Sequence, residues 1–108
     1  MYRAIAAEVL LHGKVAGTLS RDGLGRYEFS YKPNHPKTRA LSFSLPVKAE
    51  AYQGEDMPAY FDNLLPEGWL LNTSRKALKL DDPFALLIEL GKDLPGAVTL
   101  RVLRDEQL

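Results

Sequence analysis

Residues 58–69 read PAYFDNLLPEGW, and the spacing of their apolar side chains predicts the end of one amphipathic helix, a turn and the start of another helix. Pro66 has no backbone N–H and disfavours helix at the residue before it, so we expect the first helix to end there. Gly68 tolerates positive φ and allows a sharp turn. Trp69, the one tryptophan in the sequence, follows directly. A rigid turn that carries an indole is a candidate contact point for another molecule.

Two interpretations of this tryptophan stay open. A lone tryptophan is more often a core residue, but tryptophan is also among the residues most enriched in binding hot spots. Leu70 and Leu71 already supply apolar side chains for the next inward positions, which favours contact with a partner. The predicted partner-binding turn comprises Pro66, Glu67, Gly68 and Trp69. The residues predicted to support this turn are Phe61, Asp62, Asn63, Leu64 and Leu65.

The composition, with 45% hydrophobic and 26% charged residues, is typical of a globular protein, and residues 1–108 predict a single domain. Basic and acidic residues balance at 14 each, so no net charge draws the chain to nucleic acid or anionic lipid. The sequence has no cysteine, which excludes disulfides and thiolate catalysis and fits a reducing compartment. Glu8 interrupts the N-terminal apolar run, which argues against a secretory signal. We expect a cytoplasmic protein that does not contact a membrane.

Alternating apolar and polar residues predict five strands around this stretch, the clearest being the aromatic row of Tyr27, Phe29 and Tyr31. A Gly13-Lys14 pair suits a type II′ hairpin turn between the first two strands. The predicted strands are Ile5–Leu11, Val15–Leu19, Tyr27–Tyr31, Leu41–Leu45 and Ala97–Leu103, and the segment Lys48–Asp56 is expected to be a loop.

Three helices are predicted between the fourth and fifth strands. The first begins near Met57 and Pro58, and the second covers Leu70–Leu80 with a basic outer face. Asp82 and Pro83 are a strong start signal for the third, and Gly91 stands where a glycine C-cap belongs. The fold class is therefore α+β: a mostly antiparallel sheet of about five strands with about three helices packed on one side.

No group of residues indicates catalysis, a metal or a cofactor. His12 and His35 have no second histidine at metal-ligand spacing, and the glycines of the first hairpins are turn residues, not a phosphate loop. Asp62 and Glu67 flank the Pro66 turn, but no nucleophile accompanies them. A rival hypothesis is a nucleic-acid platform on the aromatic strand. Such a surface needs basic companions, and only Arg26 and Lys32 flank the strand, so we expect its aromatic row to face the core.

Several segments together resemble the N-terminal subdomain of HipA-type serine/threonine kinase toxins. The match follows the order of that subdomain along nearly the whole chain. The segments are GKVAGTL at Gly13–Leu19, SFSLPV at Ser42–Val47, FDNLLPEG at Phe61–Gly68 and DDPFALLIELGKDLPGAVTL at Asp81–Leu100. HipA proteins continue into a long kinase core, whereas this sequence ends at Leu108, so the resemblance carries over no catalytic or ATP-binding residue.

A separate copy of this subdomain is similar to the HipS-type antitoxins of three-gene HipBST systems. That resemblance implies a module that docks on a HipT-like kinase toxin and restrains it. It also implies a ternary complex with a HipB-like helix-turn-helix protein, through which the chain would contact DNA only indirectly. In this hypothesis Pro66–Trp69 is the kinase-inhibitory turn. The alternative is that the chain is the N-terminal structural part of a full-length HipA kinase.

Overall fold

A computed structural model describes residues 2–65, 82–91, 94 and 97–105. Five strands form one antiparallel sheet in the order β4-β3-β2-β1-β5. The strands are β1 (Ile5–Leu11), β2 (Lys14–Arg21), β3 (Tyr27–Tyr31), β4 (Tyr52–Gly54) and β5 (Val98–Asp105). The antiparallel five-stranded sheet expected from the sequence is confirmed.

The described residues contain two α-helices, α1 (Ala59–Asp62) and α2 (Pro83–Glu89), and one 3-10 turn at Lys37–Arg39. Both helices lie on the same face of the sheet, because Phe61 of α1 packs on Phe29 and Phe84 of α2 packs on Tyr27. The second predicted helix, over residues 70–80, lies outside the described residues. The described part of the chain is thus α+β, with its helices on one side.

Alternation along the strands separates an apolar inner face from a polar outer face, as expected for an antiparallel sheet with one solvated side. On the outer face Glu8, Thr18 and Ser30 lie in one cross-strand row, and Glu8 pairs with Arg101 of β5. The inner face and the segments packed on it form the buried core: Ile5, Ala7, Val9, Leu19, Phe29, Tyr31, Leu45, Phe61, Leu65, Phe84, Leu86, Leu87, Ile88, Leu94, Val98 and Leu100.

The first hairpin turns one residue earlier than predicted. Leu11 pairs with Lys14, so the two turn residues are His12 and Gly13, with φ of 52° and 80°. Positive φ at both positions is the pattern of a type I′ turn, not of the type II′ turn expected for Gly13-Lys14. Histidine is one of the side chains that tolerates this region, which is why it can stand beside the glycine.

The predicted fourth strand, Leu41–Leu45, is wrong. Ser42 and Leu45 instead close a tight turn through a Leu45 N–H to Ser42 O bond of 3.0 Å, and the Ser44 N–H donates to Ser42 Oγ. Serine side chains that bond nearby backbone compete with strand formation. The strand that pairs with β3 is Tyr52–Gly54, inside the segment expected to be a loop.

Gly91 allows close packing of two elements, and it is not the left-handed C-cap that the sequence predicted. Its φ is not among the positive values of the described glycines, and α2 ends at Leu90 in ordinary helical geometry. A Cβ built on Gly91 would lie 2.8 Å from both Cβ and the carbonyl oxygen of Leu100. Glycine is needed because β5 passes directly against the end of α2.

An ion pair between a buried arginine and the half-buried Asp82 joins α2 to the sheet. The side chain of Arg21, at the end of β2, is 1% exposed, and its Nη1 donates to Asp82 Oδ1 over 2.6 Å. The same carboxylate caps α2 by accepting from the Phe84 N–H. The other guanidinium nitrogens donate to the carbonyl of Arg3 over 3.2 and 2.8 Å, and the guanidinium carbon lies 5.1 Å from the centre of the Phe84 ring. The helix start predicted at Asp82 is confirmed, and its capping residue also neutralises a charge inside the domain.

Electrostatics at this pair follow from the geometry. Burial opposes ionisation of Asp82, but the hydrogen bond and charge of Arg21 outweigh it and lower the pKa of this carboxyl. Burial likewise opposes the charge of Arg21, while its bonds to Asp82 and Tyr27 raise the pKa of the guanidinium above its usual value. Both partners therefore stay charged at neutral pH.

We expect Asp82→Asn to lower the free energy of unfolding by about 3 kcal/mol, since it leaves Arg21 buried without a counter-charge while an amide oxygen can still cap α2. The matched control is Glu8→Gln, which breaks the exposed Glu8–Arg101 pair and is expected to cost less than about 1 kcal/mol. Urea unfolding followed by circular dichroism measures both. Equal losses in the two variants would contradict a special role for the buried pair.

We also expect the stability difference between wild type and Asp82→Asn to depend on pH. Because the pKa of Asp82 is lower in the folded chain than the value of about 3.9 in an unfolded one, its stabilisation is full above that value and is lost as pH falls through the folded pKa. The stability difference between wild type and Asp82→Asn should stay constant from about pH 5 to pH 8 and shrink below about pH 4. Unfolding curves across this range test it.

Candidate protein-binding surface

The segment before the predicted binding turn is anchored by one aromatic side chain. Phe61 is fully buried, and its ring centre lies 5.2 Å from that of Phe29 on β3 and 5.2 Å from that of Tyr60. Helix α1 is one turn long, so its own hydrogen bonds cannot hold it. The position of α1 therefore depends on this aromatic contact.

The other residues that were predicted to support the binding turn differ in their exposure to solvent. Leu65 is buried in the core and Leu64 is half-buried against it, whereas Asp62 and Asn63 are exposed. Leu64 and Leu65 donate backbone hydrogen bonds to residues three positions earlier, so the chain leaves α1 in a tight turn instead of continuing as helix to Leu65. Phe61 and Leu65 thus hold this segment from behind, and the two polar residues face solvent.

The predicted binding turn itself, Pro66, Glu67, Gly68 and Trp69, lies outside the described residues. Its role stays a prediction, as does the choice between core packing and partner contact for the tryptophan. The structure does describe Leu65, the buried residue that directly precedes this segment.

The aromatic strand faces the core and not a ligand. Phe29 is fully buried, Tyr31 is buried, and Tyr27 is half-buried against Phe84. A stacking platform for nucleic acid needs ring faces open to solvent. The platform hypothesis on Tyr27, Phe29 and Tyr31 is therefore wrong.

The histidines have structural surroundings. His12 lies in the β1–β2 turn, and the ring of His35 stacks on Tyr31 at 5.1 Å with Nε2 2.8 Å from the Arg39 carbonyl oxygen. Across the described ranges, no three His, Cys, Asp or Glu side chains cluster as metal ligands would. Nor does any helix in those ranges have the length and apolar character to cross a membrane.

An exposed apolar surface lies in the segment that was expected to form a strand. Phe43, at the tip of the Ser42–Leu45 turn, is fully exposed. Beside it is a groove of about 670 Å³ whose apolar lining includes Leu41, Pro46 and Val47. Alternation in LSFSL signalled an apolar residue here, but it did not reveal that the side chain points away from the domain.

The hydroxyl of Tyr31 holds this turn in place. It accepts a hydrogen bond from the Leu41 N–H over 2.9 Å and donates to the Leu45 carbonyl over 2.5 Å. Burial raises the pKa of this phenol, against the opposing effect of the Leu41 bond, so the hydroxyl keeps its proton for donation. The Phe43 side chain is thus presented on a fixed turn.

The fold defines the class of this protein as a small α+β domain built on one open antiparallel sheet. The family model described as the HipA N-terminal domain matches residues 7–101. The chain therefore belongs to the HipA N-terminal domain family. A solved structure, the N-terminal domain of HipA toxin, is similar with a TM-score of 0.74 and 29% sequence identity, covering 96% of this chain and 95% of that one. The resemblance inferred from the motifs is confirmed.

The chain is similar to one protein of nearly its own length and to two much longer putative kinases. An uncharacterised protein of Haemophilus influenzae is 32% identical over 98 residues, which cover 89% of this chain and 91% of that protein. A putative kinase of Sinorhizobium fredii, Y4dM, is 35% identical over 93% of this chain, which spans 27% of its length. A second putative kinase of that organism, Y4mE, is 33% identical over 82% of this chain, which spans 22% of its length.

Phe61→Ala should lower the free energy of unfolding by about 3–5 kcal/mol, because a buried ring is lost and the remaining contacts of one helical turn cannot fill the space. Leu64→Ala, at the half-buried neighbour, is the matched control and should cost less than half as much. Thermal unfolding of both variants tests this order. A reversed order would mean that α1 is not held through Phe61.

Proposed function

We propose that this chain is the antitoxin of a tripartite toxin–antitoxin system, in which it binds a HipT-like serine/threonine kinase and inhibits it. A HipB-like helix-turn-helix protein completes the complex and contacts the DNA. The balance of 14 basic and 14 acidic residues fits a chain that reaches DNA only through such a partner.

One observation carries this proposal. The domain makes up nearly the whole of the Haemophilus relative, but about a quarter of the two putative kinases. A domain that is covalently joined to a kinase in some relatives has a surface that fits the rest of that kinase. A separate copy has its own core and can dock on the same place, which gives it access to the kinase without any chemistry of its own.

In the proposed mechanism the inhibitory element is Trp69 on the Pro66–Trp69 turn. The indole enters the kinase cleft and either obstructs substrate or holds the kinase lobes in an unproductive arrangement. Support comes from the residues directly before the turn, since Phe61 and Leu65 are buried in the core and give it a fixed base. A fixed base lowers the entropy lost when the turn binds.

A second function is favoured by the same comparison. Because the chain spans only 27% and 22% of the two putative kinases, it is alternatively the N-terminal structural part of a longer HipA-type kinase. The reading frame after Leu108 separates the two: a stop codon supports the antitoxin, and an open frame into a kinase core supports the structural part. Adjacent genes for a short kinase and a helix-turn-helix protein also support the antitoxin.

We expect Trp69→Ala to weaken inhibition of the partner kinase at least tenfold, which corresponds to about 1.4 kcal/mol, while the complex still forms. Kinase autophosphorylation is measured against antitoxin concentration, and binding is measured separately by calorimetry.

The control for this prediction is Trp69→Phe, which keeps an aromatic ring and should fall between wild type and Trp69→Ala. Unchanged inhibition by Trp69→Ala would remove the tryptophan from the mechanism. A wild-type chain that binds the kinase without inhibiting it would overturn the antitoxin function and leave the structural one.

A further inference from the structure

The charge of the chain is unevenly distributed. Although basic and acidic residues balance overall, residues 32–48 contain four basic side chains and no carboxylate. These are Lys32, Lys37, Arg39 and Lys48, and all four are exposed. The ion pairs within the described ranges involve other residues, and the Lys48 ammonium lies 4.0 Å from the centre of the Tyr52 ring, so Lys32, Lys37 and Arg39 are the three charges available to a partner.

The apolar surface described above lies within this basic segment. We call residues 37–47 the Phe43 loop. Its phenyl ring is fully exposed, and Lys37 lines the adjoining groove together with Leu41 and Val47. Burying such a ring is favourable, and the domain leaves it exposed. An aromatic anchor surrounded by charged residues is the usual arrangement of a binding hot spot and its rim.

We infer that the Phe43 loop is a second docking site for the kinase partner: Phe43 inserts into an apolar pocket of the kinase whose rim carries aspartate or glutamate. This inference rests on the proposed function and names the surface through which the complex is held. The acidic rim follows from charge complementarity, because the exposed basic side chains of Lys32, Lys37 and Arg39 favour an acidic partner and repel a basic one.

The Phe43 loop and α1 are positioned to contact one partner together. Tyr31, whose hydroxyl holds the loop, packs on Phe29 with ring centres 4.9 Å apart, and Phe29 packs on Phe61 of α1. One aromatic row therefore supports both segments on the same side of the sheet. A kinase that contacts α1 therefore lies next to the loop.

Other occupants fit this surface less well. A two-fold dimer through the loop would bring Lys37 and Arg39 against the same two side chains of the second copy, and like charges repel. Nucleic acid needs many phosphate contacts, whereas this groove is lined by apolar side chains and the chain has no net charge. The apolar anchor and the local positive charge together favour a protein with an acidic, apolar pocket.

The test compares Phe43→Ala with Leu24→Ala in the full chain. Leu24 is also an exposed apolar residue, 70% exposed, but it lies in the β2–β3 turn between Asp22 and Arg26. Affinity for the purified kinase is measured by calorimetry. Phe43→Ala should raise Kd at least tenfold and Leu24→Ala less than twofold. Circular dichroism should show both variants folded, because neither side chain is in the core.

A second pair of variants tests the charge. Lys37→Glu should raise Kd at least fivefold and reduce the dependence of Kd on salt, whereas Lys14→Glu, at an exposed lysine of the β1–β2 hairpin, should change neither. Both substitutions change the net charge equally, so a difference between them reports on the loop.

The outcomes separate the two proposals. A wild-type chain that does not bind the kinase overturns the proposed function and this inference with it. A wild-type chain that binds and inhibits, with Phe43→Ala and Lys37→Glu unchanged in Kd, overturns the docking site alone. Loss of self-association or of nucleic-acid binding in Phe43→Ala, with unchanged kinase affinity, also overturns it and assigns the loop to that other occupant.

Discussion

The contact between Arg21 and Asp82 is the constraint on which the placement of α2 depends. It joins residues 61 positions apart, and it brings the start of the helix to the end of β2. The guanidinium is buried, so any arrangement that separated it from the carboxylate would leave an unpaired charge inside the domain. The same carboxylate caps the helix, so one side chain meets two requirements that arise in different parts of the fold.

The neighbouring part of the sheet's inner face is organised by aromatic contacts. Phe29 contacts the rings of Tyr31, Tyr52 and Phe61, which bring together β3, β4 and α1. The hydroxyl of Tyr31 then holds the Phe43 loop. The ionic contact thus secures the helix that the domain needs for its core, and the aromatic row secures the segments proposed to meet a kinase.

This division of roles suits the docking function that we propose for this domain of the HipA N-terminal family. Binding segments that are fixed before contact lose less entropy when they bind. The Phe43 loop is held by the buried Tyr31, and the binding turn proposed at residues 66–69 follows directly on the buried Leu65, whereas Phe43 itself makes no contribution to the core. Similarity to longer putative kinases and to a chain of nearly this length is consistent with a surface that works in either setting.

Local chemistry in the sequence determined the strands of the first meander, the inward row of β3, the start of α2 at Asp82, and the family. Each of these is encoded by neighbours a few residues apart: a period of two, or a cap beside a proline. Only the tertiary structure decided that Leu41–Leu45 is a turn, that Arg21 is buried, and that Gly91 meets β5. The reason is that alternation reports which side chains share a face but not what they contact. The partners that decide these features, the Tyr31 hydroxyl, the Asp82 carboxylate and Leu100, are 9 to 61 positions away along the chain.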